Sequence, residues 1–233
     1  MKGDLMNSHT HDNAGDDEER TMVYVVDDDE SMRDALGLLL QSVGLGVVTF
    51  ASAHEFLSYE MPDVPSCLIL DVRLKGQSGF AVQEQIAASQ LGLPIVFMTA
   101  HGDIAMSVKA MKAGAKDFLA KPFRDQDMLD AVAHALAGDA ERRDALRSVE
   151  DLRRCYESLT PREREVMAFV AAGLMNKQIA GEMGLSEITV KIHRGQAMRK
   201  MAARSLADFV LKAEALGVKS PQSTAAPARG SRT

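Results

Sequence analysis

Short apolar runs alternate with amphipathic segments from residue 21 to residue 138. Five runs rich in Val, Ile, Leu and Phe predict β-strands, over residues 22–26, 46–50, 67–71, 94–99 and 117–121. Apolar residues at helical spacing follow each run and predict helices over residues 31–44, 52–60, 80–89, 103–114 and 125–137. This strict alternation predicts a doubly wound, flavodoxin-like α/β fold, in which helices cover both faces of five parallel strands.

From residue 158 to residue 217 the pattern contains only short helices. Thr160, followed three residues later by Glu163, predicts a helix that begins with a capping box. Two later helices are separated by the tripeptide Gly-Leu-Ser, and the second of them covers residues 186–201. We therefore predict that an all-α domain of four helices, with a helix-turn-helix inside it, follows the α/β domain.

Three further segments lie outside these two domains. Residues 1–20 are acidic and residues 218–233 are polar, and both have the composition of disordered tails. Residues 139–157 are charged and helix-prone, which indicates a helical linker. Its narrow apolar stripe is either a seam between two copies of the chain or part of a solvated helix, and consists of Leu146, Val149 and Leu152.

Charge divides the chain at nearly the same place. The net charge of −6 combines 10 Lys and Arg against 21 Asp and Glu in residues 1–137 with 17 against 12 in residues 138–233. An acidic first part and a basic second part indicate two domains with different partners. A basic domain is typical of proteins that bind nucleic acid.

The totals also exclude several classes of protein. No stretch approaches the roughly 18–20 apolar residues of a membrane span, and the polar, acidic N-terminus is not a secretory signal. Cys67 and Cys155 are far apart and show no metal-ligand spacing. We therefore expect a cytoplasmic protein with reduced cysteines and no membrane partner.

Acidic residues crowd together directly after the first predicted strand, in the segment 27–30. A solvated turn is one interpretation. A cation site is the other, because crowded carboxylates resist ionisation unless a cation offsets their repulsion. Ligands of an open parallel sheet bind beyond the carboxyl ends of its strands, and four of these ends carry polar side chains: Asp27, Asp28, Asp71, Thr99 and Lys121.

These groups suit phosphoryl chemistry on a carboxylate. Asp27, Asp28 and Asp71 supply the oxygen ligands that Mg²⁺ prefers. Asp71 ends the central and most apolar strand, so it is the best candidate for conversion to an acyl phosphate. The hydroxyl of Thr99 and the ammonium of Lys121 are then placed to bind phosphoryl oxygens.

The helix over residues 186–201 carries the side chains that a DNA-reading helix needs. Such a helix lies in the major groove, where its N-terminal residues reach base edges. We expect Ile188 and Ile192 to face the core, and Lys177 and Lys200 to contact phosphates. The polar side chains expected on the DNA side are those of Thr189, Lys191, His193 and Arg194.

The segments VVDDDE, LILDVR, MTAHGD and KAGAKDFLAKPF resemble the receiver domain of FixJ-type two-component response regulators. The resemblance covers about residues 21–138. It implies that a sensor histidine kinase phosphorylates Asp71. It also implies that Mg²⁺ is bound by Asp27, Asp28, Asp71 and the backbone carbonyl of Arg73.

The same resemblance implies roles for the end of the domain. Thr99 and Phe118 are the residues expected to switch on phosphorylation, and the peptide bond between Lys121 and Pro122 is expected to be cis. One position departs from the pattern, since Lys75 stands where these receivers usually carry proline. This change either loosens the loop or adds a positive charge near the site.

The segments TPREREV, NKQIA and SEITVKIH resemble the LuxR-type DNA-binding domain that such regulators carry, over about residues 158–217. The segment GLMNKQIAGEMG is similar to regulators of styrene and toluene catabolism. The resemblance implies that Thr189, Val190, Lys191 and Arg194 face DNA. With the residues named above and the helix start, the candidate DNA-contact set is Lys177, Ser186, Thr189, Val190, Lys191, His193, Arg194 and Lys200.

We therefore expect a transcriptional response regulator rather than an enzyme. Phosphorylation of Asp71 would make the α/β domain dimerise, and the paired helical domains would bind a two-fold site on double-stranded promoter DNA. One alternative is a constitutive DNA-binding protein whose α/β domain does not switch, for which Lys75 is the support. The other is a Mg²⁺-dependent phosphatase of small molecules.

Overall fold

The computed structural model describes residues 21–89, 91–100 and 102–218. The chain separates into two compact units, divided between Arg143 and Asp144. The two expected tails lie outside the described residues, except for Val218, which packs against the apolar core of the second unit.

The first unit is an α/β fold, as the sequence predicts. Its five-stranded sheet has the order β2-β1-β3-β6-β7, and all of its neighbouring strands are parallel. The elements in chain order are β1 (Met22–Val26), α1 (Glu30–Ser42), β2 (Gly46–Phe50), α2 (Ala53–Leu57), β3 (Ser66–Asp71), β4 (Arg73–Leu74), β5 (Gln77–Ser78), α3 (Gly79–Ala88), β6 (Ile95–Thr99), α4 (Ile104–Lys112), β7 (Asp117–Ala120) and α5 (Asp125–Glu157).

Apolar side chains of β1 divide between the two faces of the sheet. Tyr24 and Val26 join one buried cluster, and Val23 and Val25 join the other. Successive side chains of a strand point to opposite faces, so this division places a core on each side of the sheet. The largely apolar sequence of the inner strands follows from burial on both faces.

A two-stranded hairpin, β4 with β5, follows the central strand and is absent from the sequence prediction. Arg73 pairs with Ser78 and Leu74 with Gln77, which leaves Lys75 and Gly76 as the turn. Gly76 has a φ of +85°, as the third residue of a type II turn requires. The preceding position of that turn favours proline, so Lys75 replaces a residue that suits the turn without abolishing it.

Helix α5 is longer than predicted. The sequence predicts a helix over residues 125–137 and a separate helical linker over residues 139–157. In the structure a single helix runs through both segments. Leu146 and Val149 are exposed, while Leu152 packs against the core of the second unit. The apolar stripe of the linker is therefore not one continuous exposed seam.

Four helices follow in the second unit and share one apolar core. The capping box at the first of them is confirmed: the hydroxyl of Thr160 accepts from the backbone N–H of Glu163, and Glu163 accepts from the N–H of Thr160. This agrees with the predicted four-helix domain. The helices are α6 (Pro161–Ala171), α7 (Asn176–Met183), α8 (Glu187–Lys200) and α9 (Leu206–Ala215).

Candidate functional sites

Three carboxylates meet where β1 and β3 end. Asp27 follows β1, Asp28 follows Asp27, and Asp71 is the last residue of β3, the neighbour of β1 in the sheet. One carboxylate oxygen from each lies within 4.8 Å of the others. Asp27 and Asp71 are buried, so the solvated-turn interpretation does not describe them.

The ammonium of Lys121 joins two of these carboxylates. It donates to Oδ2 of Asp27 at 2.6 Å and to Oδ2 of Asp71 at 2.9 Å. Lys121 directly follows β7, the edge strand, and its peptide bond to Pro122 is cis, as the resemblance implies. The structure thus brings the predicted cation to the predicted carboxylates.

Burial and ion pairing set the protonation of this group. Burial raises the pKa of Asp27 above its usual value, although hydrogen bonds from Lys121 and from the N–H of Asp29 act against it. For Lys121, burial alone would lower the pKa, but its hydrogen bonds to Asp27 and Asp71 outweigh burial and raise it. Lys121 is therefore held in its charged form.

Backbone N–H groups orient the two buried carboxylates. The N–H of Asp29 donates to Oδ1 of Asp27, and the N–H of Arg73 donates to Oδ1 of Asp71, each at 2.9 Å. Each donor lies two residues after its acceptor, so the turn that follows the strand fixes the side chain that ends it. Both carboxylates are thereby held at the carboxyl edge of the sheet.

The three carboxylates suit a divalent cation. All of their donor atoms are oxygens, which Mg²⁺ prefers, and one or two carboxylates with bound water commonly suffice to hold it. Asp28 is less buried than Asp27 and Asp71 and leaves the group open towards solvent on its side. The donor set therefore fits Mg²⁺ at this position.

Thr99 and Phe118 lie on the adjacent strands β6 and β7. Thr99 ends β6 and is fully buried, and Phe118 is partly buried against the core on one face of the sheet. Gly102 approaches both: a Cβ there would lie 2.9 Å from Cε1 of Phe118 and 3.2 Å from Cγ2 of Thr99. Gly102 is not among the residues predicted from the sequence, and its only signal there is its position three residues after the Thr that ends a strand.

Lys75 also reaches the acidic group. Its ammonium lies 3.1 Å from Oδ2 of Asp28. Of the two expected effects of Lys75, the added charge is the one that the structure shows, because the hairpin turn around it is formed.

In the second unit, α7 and α8 form the predicted helix-turn-helix. Gly184 ends α7 in the left-handed conformation, with a φ of +64°. Ser186 caps α8: its hydroxyl accepts from the N–H of Thr189 at 3.1 Å and lies 2.8 Å from the hydroxyl of Thr189. Both side chains thus hold the start of the helix that is expected to enter the major groove.

Two expectations for α8 are corrected by its burial pattern. Val190 is fully buried in the core of the second unit, so its side chain is not available to face DNA. Ile188 and Ile192, expected in the core, are 74% and 54% exposed. Val190 and Ala197 are the buried residues of α8, and they lie seven positions apart on one face.

Each of the two units matches a known protein family. Residues 23–133 match the family described as the response regulator receiver domain, and residues 157–213 match the luxR family of bacterial regulatory proteins. Nodulation protein W of Bradyrhizobium diazoefficiens is 57% identical over 199 residues, which cover 85% of this chain and 88% of that protein. This chain belongs to the response regulators.

Other regulators resemble the whole chain as well. The response regulator protein TodT of Pseudomonas putida is 44% identical over 196 residues, 84% of this chain and 86% of that protein. The solved structure of the response regulator StyR matches with a TM-score of 0.78 and 50% sequence identity. The match covers 84% of this chain and 98% of the StyR chain. The chain is thus a transcription regulator with a receiver domain and a luxR-type DNA-binding domain.

The remaining candidate contacts of the luxR-type domain differ in their surroundings. Lys177 and Lys191 are exposed, and Arg194 is partly exposed. Lys200 is already engaged, because its ammonium donates to Glu163 at 2.7 Å. Nδ1 of His193 is buried and has no hydrogen-bond partner among the described residues, so any contact it makes with DNA would use the other ring nitrogen.

No helix in the described parts of this response regulator combines the length and the apolar character that crossing a membrane requires.

Proposed function

We propose that this response regulator is controlled by Mg²⁺-dependent phosphorylation of Asp71 by a sensor histidine kinase. The observation that carries the proposal is the bridge from Lys121 to Asp27 and Asp71 within the cluster of three carboxylates at one sheet edge. Asp27, Asp28, Asp71 and the backbone carbonyl of Arg73 would hold the Mg²⁺. When bound, it would offset the charge of the incoming phosphoryl group.

The chain's own groups would carry the transfer. An oxygen of the Asp71 carboxylate attacks the phosphorus of a phosphohistidine; a P–O bond forms, the P–N bond breaks, and the imidazole leaves and takes up a proton. Lys121 is charged and already beside Asp71, so its ammonium would bind a phosphoryl oxygen of the product. The Thr99 hydroxyl would bind another.

Phosphorylation of Asp71 would then reorient Thr99 and Phe118 and so alter the surface formed by α4 and β7. Along α4, an exposed apolar stripe runs at helical spacing: Ile104, Val108 and Met111 are 84%, 45% and 47% exposed. Isolated exposed apolar residues are ordinary, but three on one helix face are typical of an interaction surface. We propose that two phosphorylated receiver domains pair through this face.

A dimer of receivers would present two luxR-type domains to a two-fold site on promoter DNA. Lys191 and Arg194 would contact DNA from α8, and Lys177 would contact a phosphate from α7. Chromosomal DNA as the target is consistent with action in the cytoplasm.

The test compares wild type with Asp71→Asn, each with Mg²⁺ and acetyl phosphate as phosphodonor. Wild type should dimerise in sedimentation experiments and bind promoter DNA more tightly on addition of the donor, whereas Asp71→Asn should do neither. Asp144→Asn, a change at an exposed acid of α5, should behave like wild type. Equal DNA binding by all three proteins, with and without donor, would show that the receiver does not control the luxR-type domain.

A further inference from the structure

Lys75 is an exposed cation attached to one member of the acidic group. Its side chain is 85% exposed, whereas that of its partner Asp28 is 23% exposed. Lys75 stands in the two-residue turn between β4 and β5, and this hairpin starts two residues after Asp71. The backbone therefore carries the lysine close to the carboxylates, and its flexible side chain reaches back to Asp28.

The two lysines of the site differ in burial and in the carboxylates with which they pair. Lys121 is largely buried and pairs with Asp27 and Asp71, the two buried carboxylates. Lys75 pairs with Asp28, the carboxylate on the open side of the group. An ammonium on Asp28 occupies an oxygen that a divalent cation would use, and it adds positive charge where that cation would enter.

We propose that Lys75 is a built-in competitor of Mg²⁺ at this site. In the metal-free protein its ammonium holds Asp28, and it must release Asp28 to solvent before Asp28 can coordinate Mg²⁺. Release is easy because most of the Lys75 side chain is already in water. Lys75 therefore weakens Mg²⁺ binding, and it does so most strongly at low ionic strength. This inference rests on the proposed function, since it takes the acidic group to be the Mg²⁺ site.

The expected effect is modest, because exposed ion pairs are weak and are screened by salt. Lys75→Gln should bind Mg²⁺ about two- to fivefold more tightly than wild type at low ionic strength. The ratio should approach one in about 1 M monovalent salt, where the screening length falls to about 3 Å.

The measurement is the Mg²⁺ dissociation constant of the full chain by isothermal titration calorimetry, without any phosphodonor. Lys75→Arg keeps the charge and should bind Mg²⁺ like wild type. Lys112→Gln is the matched control: it removes an exposed lysine at the end of α4, shortly before β7 begins, and should also match wild type. A thermal unfolding scan of each variant verifies that it is folded.

The possible outcomes distinguish a failure of the competitor role of Lys75 from a failure of the proposed Mg²⁺ site. Equal dissociation constants for wild type and Lys75→Gln at low salt overturn the competitor role, as does weaker binding by Lys75→Gln. An equal gain in Lys112→Gln overturns it too, because the effect would then be one of net charge. If neither wild type nor Lys75→Gln binds Mg²⁺, the proposed metal site itself is wrong.

Discussion

The carboxylate of Asp139 in α5 accepts a hydrogen bond of 3.0 Å from the backbone N–H of Ser66, the first residue of β3. Asp139 is buried and also pairs with Arg142 and Arg143, each at 2.6 Å. It therefore fixes α5 against the start of the strand whose other end is Asp71. This contact joins residues 73 positions apart, and nothing in the sequence around either one indicates it.

Replacement of Asp139 by Asn should destabilise the receiver. Loss of the charge leaves two arginines without their buried partner, and we expect the free energy of unfolding to fall by about 2–4 kcal/mol. Asp144→Asn is the control, since its pair with Arg147 is exposed and 3.7 Å long, and its effect should stay within about 0.5 kcal/mol. Differential scanning calorimetry would measure both changes.

The contribution of Asp139 should depend on pH. Burial alone would raise the pKa of Asp139, but hydrogen bonds from Arg143, from the N–H of Ser66 and from Arg142 outweigh it, so the pKa lies below the usual value of 3.8. A depressed folded-state pKa stabilises the fold above the unfolded-state pKa, and this stability is lost as pH falls through the folded-state pKa. The difference in stability between wild type and Asp139→Asn should therefore be constant from about pH 5 to pH 8 and shrink below about pH 4. A constant difference down to pH 2–3 would contradict this.

A methyl group at Gly102 should disturb Thr99 and Phe118, the two residues proposed to switch on phosphorylation. The Cβ of Gly102→Ala would approach the Phe118 ring at 2.9 Å, which disfavours the present position of the ring. We expect a larger dimer fraction before any phosphodonor is added, measured by sedimentation. Gly37→Ala in α1 is the control, because its Cβ would meet nothing within 4 Å. If Gly102→Ala leaves the monomer–dimer equilibrium unchanged, the position of the Phe118 ring does not control dimerisation.

A charge on the exposed stripe of α4 should prevent pairing of receivers. Val108→Asp should remain monomeric with acetyl phosphate and Mg²⁺, while its free energy of unfolding changes by no more than about 0.5 kcal/mol. Leu38→Asp makes the same kind of change at another exposed position, in α1, and should still dimerise. Dimerisation of Val108→Asp equal to that of wild type would place the interface elsewhere.

Two adjacent residues of α8 should respond in opposite ways. Lys191 is exposed, so Lys191→Ala should leave stability unchanged but weaken DNA binding and lower the slope of log K against log salt by about 1. Val190 is fully buried, so Val190→Ala should cost about 2 kcal/mol of stability and leave the affinity of the folded domain nearly unchanged. Fluorescence anisotropy with a DNA duplex over a salt series, together with thermal unfolding, distinguishes the two.

The sequence predicts the strands and the groups at their ends well. Carboxyl ends of parallel strands share one edge, so the sequence alone predicts that Asp71 and Lys121 lie close together. The hairpin after Asp71 could not be predicted, because two-residue strands carry no alternation. The path of Lys75 to Asp28 therefore could not be predicted either.

Helix α8 shows a second limit of sequence patterns. It is polar at most positions, so its apolar residues give no clear helical period, and Ile192 competes with Val190 for assignment to the core. Packing decides between them, since the face shared by Val190 and Ala197 is the one that meets the other helices. The residue type alone favours neither.

The pairing of Lys121 with Asp27 joins residues that are 94 positions apart. A chain still being synthesised has all three carboxylates long before Lys121 is made, and it cannot bring that ammonium to them until the edge strand β7 has packed. Contacts of such sequence separation are slow to form, because the entropy of closing a long loop must first be overcome. Under the proposed function, competence of Asp71 to receive a phosphoryl group should thus arise only once the whole receiver, including β7, has folded.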